Sequence, residues 1–176
     1  FVPAAHRDEA YDDHPLPIGH GQTISQPYIV ALMTQMVALK PDGRALDIGT
    51  GSGYQAAVLA GVCKEVYSIE IVEPLAQQVA RRLTTLGYDN VTTRLGDGYF
   101  GWEEHAPFDA IVVTAAPNHV PPPLVQQLKR GGRMVIPVGK KYHQRLLLLT
   151  KTSGMIKAQK VVDVRFVPMV DRQGKT

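Results

Sequence analysis

Residues 46–56 read LDIGTGSGYQA, and the fold follows from how this stretch is placed. Arg44–Ile48 is a short, apolar strand pattern, and Gly53–Ala60 reads as a helix closed by Gly61. A glycine run at a strand-to-helix turn is meaningful because of that context: backbone without Cβ atoms turns tightly and lets a ligand approach closely. Working outward, residues 27–38 space their apolar side chains at three and four, as a helix does. Lys40-Pro41-Asp42-Gly43 is a turn. On the other side come a strand at Glu65–Ile69, a helix at Pro74–Leu86 with proline at its start and Gly87 past its end, and a strand at Val91–Leu95. Further strands are expected at Ala110–Thr114 and Met134–Pro137, with a short helix at Leu124–Leu128 ended by Gly131-Gly132. Arg145–Thr150 and Val161–Phe166 have no room for a helix between them, so they form a hairpin around Ser153-Gly154. Alternation first and a terminal hairpin last predict an α/β protein, with a doubly wound, mostly parallel sheet and an antiparallel C-terminal edge.

The 176 residues suit one domain, and 44% hydrophobic residues argue against disorder. No apolar run approaches the roughly 20 residues of a spanning helix. Phe1-Val2-Pro3 and the residues after them show no secretory apolar core. The single cysteine, Cys63, allows no internal disulfide and fits a cytoplasmic setting, where it packs as a small hydrophobe. The net charge of +3 hides a split. Residues 1–128 hold seven Lys/Arg against fourteen Asp/Glu, and residues 129–176 hold twelve against two. A basic face for an acidic partner is one reading. The favoured one is solvated faces of C-terminal strands, because the basic residues are scattered and aromatic interleaving is thin.

Gly51-Ser52-Gly53-Tyr54-Gln55-Ala56 satisfies the G-x-G-x-x-G/A pattern, which leaves a dinucleotide and another nucleoside cofactor both open. Two charges weigh against the dinucleotide. Asp47, two residues before Gly49, repels a pyrophosphate and attracts the ammonium and sulfonium of S-adenosylmethionine. Glu70, at the end of the second parallel strand and 19 residues after Gly51, suits the two ribose hydroxyls. Asp97 in Gly96-Asp97-Gly98 follows the third strand and is placed for the adenine amine. Each alone is a turn former or a helix-start charge; together, at these spacings, they favour a ligand. The expected cofactor contacts are therefore Asp47, Gly49, Gly51, Gly53, Glu70, Asp97 and Gly98.

Other chemistries find little support. Ser52 lacks a G-x-S-x-G frame. The six histidines show no metal-ligand spacing, so no metal is expected. Thr114-Ala115-Ala116-Pro117 offers little grip on a planar amine of a nucleobase. An RNA-directed enzyme stays a distant alternative, to be tested by salt dependence. Residues 17–27, PIGHGQTISQP, are a separate puzzle: too broken for strand or helix, yet too apolar around their polar groups for an ordinary solvated loop.

PLPIGHGQTISQP, ALDIGTGSGYQAAVLA, GDGYFGW, APFDAIVVTAA, LKRGGRMVIPVG and VRFVPM together resemble the protein-L-isoaspartate (D-aspartate) O-methyltransferase family, above all its bacterial members. The match runs from Phe1 to about Met169. It implies a class I methyltransferase, Rossmann-like fold over residues 1–176 and a helical segment ahead of Phe-Val-Pro that this sequence does not include. It also implies that S-adenosylmethionine is used to methylate the free carboxylate of isoaspartyl residues in damaged proteins and peptides, a monomer in the cytoplasm with no membrane role. The ester would then close to a succinimide, and hydrolysis would return some aspartate. A relative that methylates aspartate in a modified biosynthetic peptide is the near alternative. The resemblance makes Ser25 the catalytic residue, sets Gln22 and Thr23 against the cofactor, and gives Ile24, Val138 and Gly139 to the substrate. Val30 stands where some members carry histidine, and no role passes to it.

A hydroxyl is chemically sufficient at Ser25. An α-carboxylate has an ordinary pKa of about 3.3–3.7, so it is ionised near neutrality and needs no base. What remains is alignment, worth roughly 7–11 kcal/mol in favourable cases, and a stiff loop with Pro15, Pro17 and Pro27 suits that task. Ser25 also fits an N-cap of the 27–38 helix, with Pro27 in its first turn. Pro137-Val138-Gly139 ends the fifth strand of the parallel series on the same rim, where its backbone is placed to pair with an extended peptide.

Overall fold

The structure, a computed structural model, describes residues 1–140 and 143–170. A short 3-10 segment at Ala4–Glu9 leads into a two-stranded hairpin of β1 (Leu16–Gly19) and β2 (Gln22–Ile24). The sequence pattern made no strand here, and the reason is local. Gly19, His20 and Gly21 all have positive φ (90°, 54° and 70°), which reverses the chain in three residues. Pairs only three or four residues long carry no readable periodicity.

Helix α1 (Pro27–Val37) follows, then β3 (Arg44–Ile48), α2 (Tyr54–Ala60), β4 (Glu65–Glu70), α3 (Glu73–Thr85), β5 (Val91–Leu95), β6 (Phe108–Val113), α4 (Pro122–Gln127), β7 (Leu128–Lys140), β8 (His143–Lys151) and β9 (Ile156–Val164). The main sheet has the order β5-β4-β3-β6-β7-β8-β9. β5 to β7 pair in parallel, and β8 and β9 add antiparallel strands at the edge. The doubly wound sheet with its terminal hairpin is therefore as expected. Between β3 and β6 the winding reverses, and that is where open α/β sheets leave a crevice at the carboxyl ends of their strands.

Two findings differ from the sequence pattern at β7. The strand begins directly at the end of α4, without a loop. Gly131 and Gly132 lie inside it, at a shift in register where Phe108 and Ala110 of β6 face Leu128 and Arg133 of β7. The glycines mark a bulge rather than the helix terminus, as glycine in a strand often does.

The core follows from strand alternation. Ala45, Ala110 and Val112 face one side of the sheet, with Val30 and Met33 of α1 and Ala56 and Leu59 of α2. Leu46, Ile111 and Val113 face the other, with Phe108, Leu124 and Met134. Ala110, Ile111, Val112 and Val113 are all fully buried, which is why their stretch reads as a continuous apolar run. Each large side chain so buried contributes roughly 1.5–3 kcal/mol. Among the described residues no helix is long and apolar enough to cross a membrane. The basic residues Lys157 and Lys160 stand exposed on the outer strand β9.

Candidate active site

The carboxyl ends of β3, β4 and β6 open onto a cavity of about 1100 Å³. Its floor is the glycine loop. Gly49 and Thr50 donate their N–H groups to Ile69 O at 2.9 and 3.2 Å, which ties the loop to β4. Gly51 N–H donates to Glu70 Oε2 at 2.7 Å, and Val72 N–H donates to Glu70 Oε1 at 2.9 Å. One carboxylate thus clamps the loop to the strand end, 5% exposed, with lone pairs left on both oxygens. Thr114, after β6, shares its hydroxyl hydrogen between Ile48 O and Gly49 O at 2.9 and 2.8 Å. A Cβ on Gly49 would lie 2.7 Å from that hydroxyl oxygen, so no larger residue fits there.

The expected cofactor residues divide. Gly49, Gly51, Glu70 and Gly98 line the cavity, with Gln22 and Thr23 from the hairpin. Asp47, Gly53 and Asp97 are not among the described residues that line it. Asp47 is fully buried beneath the loop, where Ser68 Oγ donates to its Oδ2 at 2.6 Å and Thr50 Oγ1 lies 2.6 Å from Ser68 Oγ. Its Oδ1 is buried and has no partner among the described residues. Burial, opposed by the Ser68 hydrogen bond and aided by the nearby Glu70 charge, pushes the Asp47 carboxyl up to about 7. Asp47 therefore sits one layer beneath the cavity, behind the described lining residues. Gly53 heads α2 with φ of 90°, and a Cβ there would come within 2.6 Å of Val79 Cγ2. It serves close packing of α2 on α3. Asp97 caps the turn at Gly98–Phe100 by accepting from Tyr99 N–H at 2.9 Å.

Ile24 and Ser25 line the same cavity. Gln26, not Ser25, occupies the N-cap of α1, and it makes no side-chain cap. No hydrogen bond engages the Ser25 hydroxyl among the described residues, which leaves it for another partner. Val138 lines the cavity, but Gly139 does not, and its N–H already donates to Pro117 O at 3.0 Å. That N–H is therefore not open to an added strand, contrary to the expectation for this turn.

One wall was not foreseen. The chain after β9 straps across the end of β6: Ala116 N–H donates to Val167 O at 2.8 Å, and Met169 N–H donates to Ala116 O at 2.9 Å. Gln144, 3% exposed, grips the same segment twice. Its Oε1 accepts from Phe166 N–H at 2.6 Å and its Nε2 donates to Phe166 O at 3.0 Å. Gln144 and residues 166–169 all line the cavity. A glutamine at a strand position gives no sequence signal of such a clasp. The histidine spacing also gave no hint that Glu9, Asp12 and His14 bring ligand atoms within 4.8 Å of one another on the N-terminal segment.

The family model described as protein-L-isoaspartate (D-aspartate) O-methyltransferase matches residues 1–174. The chain belongs to this family. Within the family, it is 59% identical over 174 residues to protein-L-isoaspartate O-methyltransferase 1 of Cupriavidus necator, covering 98% of this chain and 67% of that one. It is 61% identical over 171 residues to the corresponding enzyme 1 of Nitrosospira multiformis, covering 96% and 72%. A solved protein-L-isoaspartate O-methyltransferase matches with a TM-score of 0.86 at 32% identity, over 99% of this chain and 57% of that one. A Plasmodium falciparum member, solved in complex with S-adenosyl-L-homocysteine, matches with a TM-score of 0.78 at 32% identity, over 90% and 81%. The fold is that of the class I methyltransferases.

Proposed function

We propose that this chain methylates the free α-carboxylate of isoaspartyl residues in damaged proteins and peptides, with S-adenosylmethionine as donor, and so starts their repair through a succinimide. The observation that carries the reading is a single cavity lined by the glycine loop, by Glu70 and by Ser25, whose hydroxyl has no partner among the described residues.

The residues fit such a donor. Its positive charge suits a wall with the Glu70 carboxylate and an underlying Asp47 whose Oδ1 has no partner among the described residues. The Glu70 oxygens accept backbone N–H groups and keep capacity for ribose hydroxyls. Gly49, Gly51, Glu70 and Gly98 would hold the nucleoside part, and Gln22 and Thr23 would border it. When bound, S-adenosylmethionine supplies an electrophilic methyl carbon on a sulfonium. The rest is done by the chain. Ser25 donates its hydroxyl hydrogen to one oxygen of an acceptor that is already ionised, leaving the second oxygen free to face the methyl. Ile24 and Val138 provide apolar walls that keep water off that carboxylate, and the strap at Phe166–Met169 forms part of the same lining. No general base is required.

This reading takes residues 1–176 as one catalytic domain working as a monomer on isoaspartyl proteins and peptides. Cytoplasmic residence belongs to it as well and rests on Cys63, a buried, unpaired thiol that burial pushes up to about 11. Labelled S-adenosylmethionine and two peptides, identical except for isoaspartyl or aspartyl at one position, test it. Base-labile label is expected only in the isoaspartyl peptide. Label in the aspartyl peptide of a modified biosynthetic substrate, and not here, would move the assignment to the neighbouring peptide-modifying role.

A further inference from the structure

A second cavity, of about 250 Å³, lies on the other side of the Ser25 loop. It shares Ile24, Ser25, Gln26 and Tyr54 with the main one, so the two meet at the serine. Its remaining walls come from the N-terminal segment and are mostly apolar: Phe1, Val2, Ala10 and Leu16, with Pro27 at the start of α1. The Phe1 and Tyr54 rings pack at 5.8 Å, tilted by 41°, and make a firm aromatic side. Tyr11, 92% exposed, stands at its edge. A dry cavity of about 150 Å³ is enough for a benzene-sized group, so this one has room for one large side chain.

We infer that this cavity is a specificity subsite, receiving an apolar side chain from a residue bonded directly to the isoaspartyl unit. The inference rests on the function proposed above. An isoaspartyl residue whose carboxylate touches Ser25 has its two chain neighbours only five or six covalent bonds from the carboxyl carbon to their Cβ atoms. A neighbouring side chain is therefore within reach of this cavity, whose wall includes Ser25 itself. The aromatic and aliphatic walls match an apolar occupant. Arg7 and His14 also line this cavity: Arg7 lies exposed on the Ala4–Glu9 turn, where its stem can cover the mouth with its head in water, and His14 is exposed beside Glu9 and Asp12.

The test is a panel of isoaspartyl peptides with Ala, Leu, Phe, Glu or Lys at each neighbour in turn, assayed on the wild type and on the cavity-filling variants Ala10→Phe and Val2→Phe. At one of the two neighbours, Leu or Phe is expected to raise kcat/KM about tenfold over Ala, and either variant is expected to bring that ratio towards one. A ratio that stays the same in both variants, or a panel ranked by charge instead of apolar size, overturns the subsite. No methylation of any isoaspartyl peptide, the Ala-flanked ones included, would instead overturn the function on which it rests, so the two failures read differently.

Discussion

Glu70→Gln tests the clamp beneath the cavity. The carboxylate offers one acceptor to Gly51 N–H at 2.7 Å and another to Val72 N–H at 2.9 Å. An amide of the same shape has one oxygen, so its NH₂ group must face one of the two donors. One bond to a charged group is lost, and such bonds contribute about 1.5–3 kcal/mol. Glu70 is 5% exposed, so water does little to compensate. A loss of about 2 kcal/mol corresponds to a fall in Tm of about 4–8 °C for a chain of this size. Thermal unfolding followed by circular dichroism, without ligand, reads this term alone. Calorimetry with S-adenosylhomocysteine then reads the second consequence: the glycine loop loses its anchor and the ribose loses an acceptor, so affinity falls about tenfold or more. If Glu70→Gln melts like the wild type and binds as tightly, the clamp is not what holds the loop, and the account of the cavity floor is wrong.

Gly53→Ala meets Val79 Cγ2 at 2.6 Å with φ at +90°, adding roughly 1–3 kcal/mol each of strain and overpacking against a gain of about 0.4–1 kcal/mol from the unfolded chain. A clear drop in the urea midpoint is expected, and an unchanged midpoint refutes the packing role. Asp47 has a folded value of about 7, above its ordinary 3.8, so the stability its proton affords is complete below about pH 4 and lost as pH rises through 7. Asp47→Asn removes that slope of up to about 1.4 kcal/mol per pH unit. Stability of the variant relative to wild type therefore rises from pH 4 to 7 in urea titrations, and a flat difference sinks the assignment. Ser25→Ala should lower kcat about ten- to hundredfold while calorimetric affinity for S-adenosylhomocysteine stays level; equal turnover of the isoaspartyl peptide removes its role.

Most of the fold was legible because its signals are long-range repeats of a simple kind. Arg44–Ile48 and Val91–Leu95 have the bounds their apolar patterns predict, and α1, α2 and α3 begin and end within a residue of theirs. Pro27 and Gly87 act as the helix punctuation they resemble. The site was half legible. Glycines and acids in sequence order point to the right sheet edge, but order does not say which way a side chain faces. Successive strand residues point to opposite faces, and Ile48 at the end of β3 lines the cavity while its neighbour Asp47 does not. Likewise Gly53 has a ligand-like spacing, while the side chains packed against it are Val79 and Leu83. The hairpin at Leu16–Ile24 and the Gln144 clasp left no trace in the pattern, since each depends on one or two hydrogen bonds between residues that no periodicity links.

The strap has a consequence for biosynthesis. Chains leave the ribosome amino end first, and domains gather as units while synthesis proceeds. The glycine loop, at residues 49–53, is made before the strap, yet the cavity it lines is completed only when Phe166 has docked on Gln144 and Met169 on Ala116. A nascent chain can therefore form its parallel strands while its cleft still stands open to solvent, and the cleft is completed only after the segment beyond β9 has been made.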